Sequence, residues 1–333
     1  MSDALEATEE CRPGLHIPSR PMPLPAGLSQ EAQDFLLMPP ALDFSVGPMW
    51  AHRETVDGQF AQLAELQRAV WPVDVEETEV NDVRVHVVTP SGGELRSKEH
   101  ILLNIHGGGF VMGAGSLIEA IPIASLMGLA VVVPDYRLAP EHPFPAALDD
   151  AVKVYARLRE DYSPEKIIAY GSSAGAAITL QMVVRLKELG MPLPAAIGAF
   201  SPPSDLSDFG DSGRLFSLNG IWGGLHIALD DPLSEIRSYL GGIDPKDPRV
   251  SPVYADLAGF PPTLLLSGSR DILLSGTTRM HLALLSAGAE AELAIFEAMP
   301  HCHWFAFHMP EARLALDLMA KFFNQRFGLP LSS

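Results

Sequence analysis

A serine becomes a useful nucleophile only when the backbone throws its hydroxyl clear and a neighbouring base takes its proton. The stretch Gly171-Ser172-Ser173-Ala174-Gly175 suits the first requirement. It follows the apolar run KIIAY (166–170) and leads into AAITLQMVVRLKEL, which stops at Gly190 with Pro192 beyond. A G-x-S-x-G between a strand and a helix forms a nucleophile elbow, where the central serine takes a strained conformation at a sharp turn. The outer glycines let the two backbones approach too closely for side chains. Out of this setting the same five residues are a common Gly-Ser loop. Within it, Ser173 is the predicted nucleophile, and Ser172 is out of register with the pattern.

A second stretch, His106-Gly107-Gly108-Gly109-Phe110, follows the apolar run ILLNI (101–105). Consecutive glycines can turn N–H groups into a cavity, as an oxyanion hole requires when a carbonyl oxygen gains negative charge. A phosphate loop is the rival, but no lysine follows and neither glycine fingerprint fits. The N–H of Ala174, at the start of a helix, is a further expected donor.

The base and its orienting carboxylate must come from later strand ends. After TLLLSG comes Ser269-Arg270-Asp271, and after AELAIF comes Glu297-Ala298-Met299-Pro300-His301. The order Ser, Asp, His is one this arrangement uses. Asp271 has a helix-cap alternative, and Asp205 is a rival carboxylate better read as a loop residue. His301 falls in the first loop turn past its strand, whereas His303 lies nearer the next helix. A metal site on His301, His303 and His308 is disfavoured, because those residues lie among aromatics. No cofactor or metal is expected.

These residues need a scaffold. The apolar runs 101–105, 129–134, 166–170, 195–200, 263–268 and 291–296 alternate with helix-length segments. Strands buried on both faces read this way, which predicts an α/β fold with a mostly parallel sheet and flanking helices. Ligands then bind at the carboxyl ends of the strands. Val80 to Thr89 alternates and then runs apolar, as an antiparallel sheet edge would. Trp50 to Val70 carries apolar residues at helical spacing, and Ser29 to Met38 is a short amphipathic candidate. Residues 202–250 break the alternation, with helical material at Trp222 to Leu229 and Leu233 to Leu240. Segments 1–48 and 204–248 are therefore expected to form a helical cap over a catalytic domain of 49–203 and 249–333. Phe44, Phe110, Phe209, Phe216, Leu218, Trp222 and Trp304 are candidate pocket lining.

The 333 residues carry a formal net charge of −18, with 23 Lys and Arg and no dense basic run. Nucleic acid and anionic membrane surfaces are thus poor partners. The longest apolar stretch, Ala120 to Pro134, is short of the roughly 20 residues that span a bilayer. Two cysteines, Cys11 and Cys302, give no disulfide framework, and the acidic start lacks a signal-peptide pattern. A cytoplasmic protein with a small-molecule partner is expected, and a homodimer is left open.

HGGGF, PDYRLAPEHPFPAALDD (134–150), GSSAG, SPVYADLAGFPPTLLLSGSRDIL (251–273) and the Met-Pro-His of 299–301 together resemble the hormone-sensitive-lipase family of bacterial esterases, over roughly residues 80–325. The resemblance implies an eight-stranded α/β-hydrolase sheet, a helical cap, and cofactor-free hydrolysis of short- to medium-chain acyl esters. It implies N–H donors at Gly108, Gly109 and Ala174, and a structural loop from Asp135 to Ala147. Met299-Pro300 matches the family's lead-in to its histidine, whereas the aromatics after His303 favour the other assignment. Two departures stand out: Ser172 where the family usually has Asp or Thr, and HCHWF in place of His-Gly-Phe. A rival class, in which the same fold merely clamps a ligand, requires a decayed triad, and here Ser, Asp and His are all present.

Overall fold

The computed structural model describes residues 22–39, 47–218, 220 and 234–330. Among these, eight strands form one sheet: β1 (Val73–Val80), β2 (Val83–Pro90), β3 (Ile101–Ile105), β4 (Ala130–Pro134), β5 (Ile167–Ser172), β6 (Ala196–Phe200), β7 (Thr263–Gly268) and β8 (Ala291–Phe296). Their spatial order is β1-β2-β4-β3-β5-β6-β7-β8. From β4 to β8 every pairing is parallel, and β2 joins β4 antiparallel. The mostly parallel eight-stranded α/β sheet is thus present.

The central strands bury both faces because their side chains alternate between two cores. Leu103 and Ile105 enter one core, and Leu102 the other. Helices α4 (Ala146–Asp161), α5 (Ala174–Glu188) and α8 (Leu274–Ser286) close the first side. The second is closed by α1 (Gln30–Leu37), α3 (Ala120–Met127) and α9 (Pro310–Phe327). Helix α2 (Arg53–Val70) contributes to both, through Val56 and Ala64.

One element differs from expectation. The run 80–89 is not the sheet edge but lies next to it, and the edge strand is β1, Val73-Asp-Val-Glu-Glu-Thr-Glu-Val80. Polar residues on both faces of β1 hide it from any apolar alternation. Asn81 and Asp82, with φ of 48° and 64°, make the left-handed two-residue turn that joins β1 to β2.

Two segments outside the sheet bear on the site. Ser29 caps α1 by accepting the Ala32 N–H at 3.1 Å, and its own N–H and hydroxyl donate to the Glu311 carboxylate of α9 at 2.8 and 2.7 Å. Between β6 and β7 lie α6 (Gly210–Leu215), packed on α8, and α7 (Glu235–Leu240). The expected helical stretch 222–229 and the candidate lining residues Phe44 and Trp222 lie outside the described residues. No described helix is long and apolar enough to cross a membrane.

Candidate active site

Strand β5 turns sharply into α5 at Ser173, whose φ of 55° and ψ of −123° put it in a region that costs a non-glycine residue about 1–3 kcal/mol. The turn holds because Ser173 N–H donates to the Phe200 carbonyl at 2.8 Å. It also needs glycine on both sides: a Cβ at either Gly171 or Gly175 would overlap the Ile105 carbonyl oxygen. The G-x-S-x-G spacing is therefore the imprint of β3 passing beneath the turn.

Next to it, Gly108 takes φ 125°, and a Cβ there would overlap the Met112 carbonyl oxygen. The N–H groups of Gly108 and Gly109 have no acceptor among the described residues. The loop is braced from below. Tyr136 donates its hydroxyl to the His106 carbonyl at 2.8 Å and stacks on the His106 ring with centroids 4.2 Å apart. Burial drives the His106 pKa down to about 4, so this ring is neutral. The 135–147 loop thus has the supporting position that the resemblance implied.

Asp271 is fully buried at the end of β7. Its Oδ1 lies 2.9 Å from His301 Nδ1 and accepts the Leu273 N–H at 2.8 Å. Its Oδ2 accepts the hydroxyls of Ser201 and, at 2.8 Å, Ser267. Burial alone would raise the pKa of this carboxyl, but the neighbouring His301, then Ser201 and the Leu273 amide, outweigh it and hold it at about 2. The rival Asp205 is engaged elsewhere, with Ser207, Tyr254 and Arg279.

The two candidate histidines diverge. His301 lines the cavity, whereas His303 is buried beside Phe296 and Trp304, with ring centroids at 4.7 and 5.2 Å. Between them Cys302 adopts φ 51° and ψ 37°, and its Sγ lies 3.4 Å from His301 Nε2. Burial, followed by the charges of Asp271 and Glu119, raises the Cys302 pKa well above its usual value, so the group is a thiol. His308 is exposed, and among the described residues no three His, Cys, Asp or Glu side chains are grouped as metal ligands.

Ser173, His301, Gly108, Gly109 and Ala174 all line one cavity of about 290 Å³. Of the candidate apolar lining, Phe110, Phe209 and Leu218 are part of it. Phe216 packs against the core instead. Trp304 is buried beneath the elbow, where its Nε1 donates to Ser172 Oγ at 3.2 Å. Sequence reasoning missed the contribution of α2, which supplies Val56, Gln59 and Phe60. It also missed Glu119, a buried carboxylate at the cavity wall. One signal marked it: Glu119 is the sole Asp, Glu, Lys or Arg between Glu99 and Asp135.

A strained serine at a strand-to-helix turn, on a mostly parallel sheet, beside a glycine loop and a buried Asp-His pair, defines the α/β-hydrolase class. Residues 102–305 match the family described as "alpha/beta hydrolase fold". An acetyl-hydrolase of Streptomyces hygroscopicus is 34% identical over 239 residues, covering 70% of this chain and 78% of that protein. The crystal structure of an esterase E25 superposes with a TM-score of 0.80 at 34% identity, covering 94% of this chain and 98% of that one. A hormone-sensitive lipase from a metagenome library superposes at 0.69 with 31% identity, over 80% of this chain and 92% of that one. The chain belongs to the hormone-sensitive-lipase family of α/β-hydrolase esterases, a family of serine-hydrolase carboxylesterases.

Proposed function

We propose that this chain hydrolyses short- to medium-chain acyl esters through Ser173, His301 and Asp271. The observation that carries the reading is the 2.9 Å contact between His301 Nδ1 and the buried Asp271 Oδ1, with His301 and Ser173 lining one cavity. Asp271 holds the imidazole with Nδ1 protonated, which presents Nε2, 3.4 Å from the Cys302 sulfur, as the acceptor for the Ser173 proton. As Oγ bonds to the acyl carbon, the carbonyl π electrons move to oxygen, where the amides of Gly108, Gly109 and Ala174 receive the charge. Collapse of this intermediate breaks the bond to the leaving alkoxide, which takes the proton from His301. Water then attacks the acyl-enzyme, giving its proton to His301. The carboxylic acid departs and Ser173 recovers its hydrogen.

The described part of 204–248 acts as a cap in this reading, since Phe209, Leu218 and Ile236 wall the cavity, whereas the described helix of 1–48, α1, packs on α9 and lines no part of it. An apolar cavity of about 290 Å³ suits a short acyl chain better than a long one. The test has two arms. Ser173→Ala should lower kcat by a factor on the order of 10⁴ to 10⁶, and an organophosphate should label the parent at Ser173. A p-nitrophenyl ester series should peak at short acyl lengths, and Phe209→Ala should move the peak to longer ones. Turnover retained in Ser173→Ala would overturn the mechanism. An optimum at long acyl chains would overturn the substrate class.

A further inference from the structure

Ester hydrolysis by the three residues above leaves Glu119, a buried carboxylate at the cavity, without a task. Glu119 sits at the start of α3, almost wholly buried, in a stretch that is otherwise apolar. A carboxylate in such a place costs several kcal/mol unless it is well bonded, and a leucine of similar volume would fill the space without that cost. The bonds it makes are specific. Its Oε1 accepts the Gly107 N–H at 2.9 Å, the amide that begins the glycine loop. Its Oε2 lies 3.4 Å from Asn104 Nδ2 on β3. Ser172, the last residue before the strained serine, lies close enough for its hydroxyl and amide to pull the Glu119 pKa down. Ser172 Oγ in turn accepts the indole N–H of Trp304, which belongs to the histidine loop.

One carboxylate therefore bonds the glycine loop directly and lies near Ser172 of the elbow, whose hydroxyl accepts from Trp304 of the histidine loop. The glycine loop needs such an anchor. Three successive glycines have few side-chain contacts of their own, and an oxyanion hole works only if its donors are held to within about half an ångström. A Cβ at Gly107 would come 2.9 Å from the Ser172 carbonyl oxygen and 3.5 Å from Ser173 Cβ, so this loop and the elbow are in close contact at the point where Glu119 binds.

We propose that Glu119 is a positioning residue for the esterase reaction: by holding Gly107 against the elbow, it sets the Gly108 and Gly109 amides at the distance from Ser173 that the developing oxyanion requires. This rests on the Ser173 mechanism proposed above. The role is exerted through the loop, so its signature is loss of transition-state stabilisation with little change in substrate binding.

The test uses purified Glu119→Leu and Glu119→Gln, assayed for kcat and KM on p-nitrophenyl butyrate and for affinity to an alkyl trifluoromethyl ketone. Addition of the serine hydroxyl to that ketone generates an oxyanion in the same hole, its proton passing to His301. Glu119→Leu should lose 10² to 10³ in both kcat and ketone affinity, with KM held within about threefold. Glu119→Gln keeps an acceptor for the Gly107 amide but no charge, and its Nε2 can meet Asn104 Oδ1, which has no partner now. It should lose roughly tenfold in both. Unchanged kcat and ketone affinity in Glu119→Leu would overturn the proposal, as would a loss confined to KM. Should the leucine variant not fold, the same two results in Glu119→Gln would overturn it. Ser173→Ala, run in parallel, separates the two readings: activity surviving there removes the Ser173 mechanism, whereas a fully active Glu119→Leu beside a dead Ser173→Ala removes only the role of Glu119.

Discussion

His301 and His303 are separated by a single residue, yet their imidazoles occupy opposite environments. His301 faces the cavity with Nδ1 on Asp271, and His303 is sealed between Phe296 and Trp304. The left-handed Cys302 between them reverses the chain so that the two side chains diverge. Burial lowers the His303 pKa to about 4, which keeps that ring neutral and apolar in character. His301→Ala should therefore lower kcat by several powers of ten, and His303→Ala should cost stability while leaving kcat within about tenfold. Steady-state kinetics and thermal melts of both folded variants check this, and the reverse ranking would move the base to His303.

Cys302 presents an alternative nucleophile, since its Sγ is 3.4 Å from His301 Nε2. A cysteine works as a thiolate, and burial holds this one in the thiol form. Cys302→Ala should keep kcat within about threefold of the parent, with organophosphate labelling of Ser173 unchanged. Loss of activity on the scale of a nucleophile knockout, on the order of 10⁴ or more, would show that the sulfur takes part in the chemistry.

The sheet was readable because β3 to β7 are buried apolar runs whose length and spacing leave little choice of structure, and β8, though half-exposed at the other edge, keeps an apolar run of strand length. Strand β1 was not, because Asp, Glu and Thr occupy both of its faces at a sheet edge, and only the Asn81-Asp82 turn betrayed the hairpin. Ser173 and the glycine loop were legible because backbone crowding dictates their residue types. Asp271 and His301 came from their places after β7 and β8. The Glu119 contacts were hidden because they depend on three loops converging from residues 107, 119 and 172, which no local pattern encodes. The contribution of α2 was hidden likewise. Val56 and Phe60 look like an ordinary buried helix face, and only the tertiary fold turns them to the cavity.

The glycine loop yields a second kinetic prediction. Gly108 has φ 125°, and any Cβ there would strike the Met112 carbonyl. Gly108→Val should displace the amide and reduce kcat by roughly 10² to 10³, with a smaller effect on KM. If KM rises and kcat stays constant, the loop shapes substrate binding and does not stabilise the oxyanion.

Glu119 also makes stability depend on pH in a direction opposite to most carboxylates. Burial raises its pKa from the usual 4.5 to about 7, against the opposing pull of Gly107, Ser172 and Asn104. Its folded-state pKa therefore exceeds its unfolded value, so the folded protein binds the extra proton. The favourable contribution is fully present below about pH 4.5 and is lost as pH rises through about 7. Above that, folding requires a buried charge. Glutamine has the same shape and does not titrate, so it serves as the reference. The melting temperature of Glu119→Gln minus that of the parent should increase between pH 5 and pH 8. Asp271 adds no slope in this window, because its pKa is held at about 2 and its stabilisation is lost only as pH falls below its ordinary value of 3.8. Thermal melts of both proteins at half-unit pH steps supply the measurement. A difference that stays flat from pH 5 to pH 8 would mean that the Glu119 carboxyl ionises in the ordinary range, with its bonds to the loop outweighing its burial.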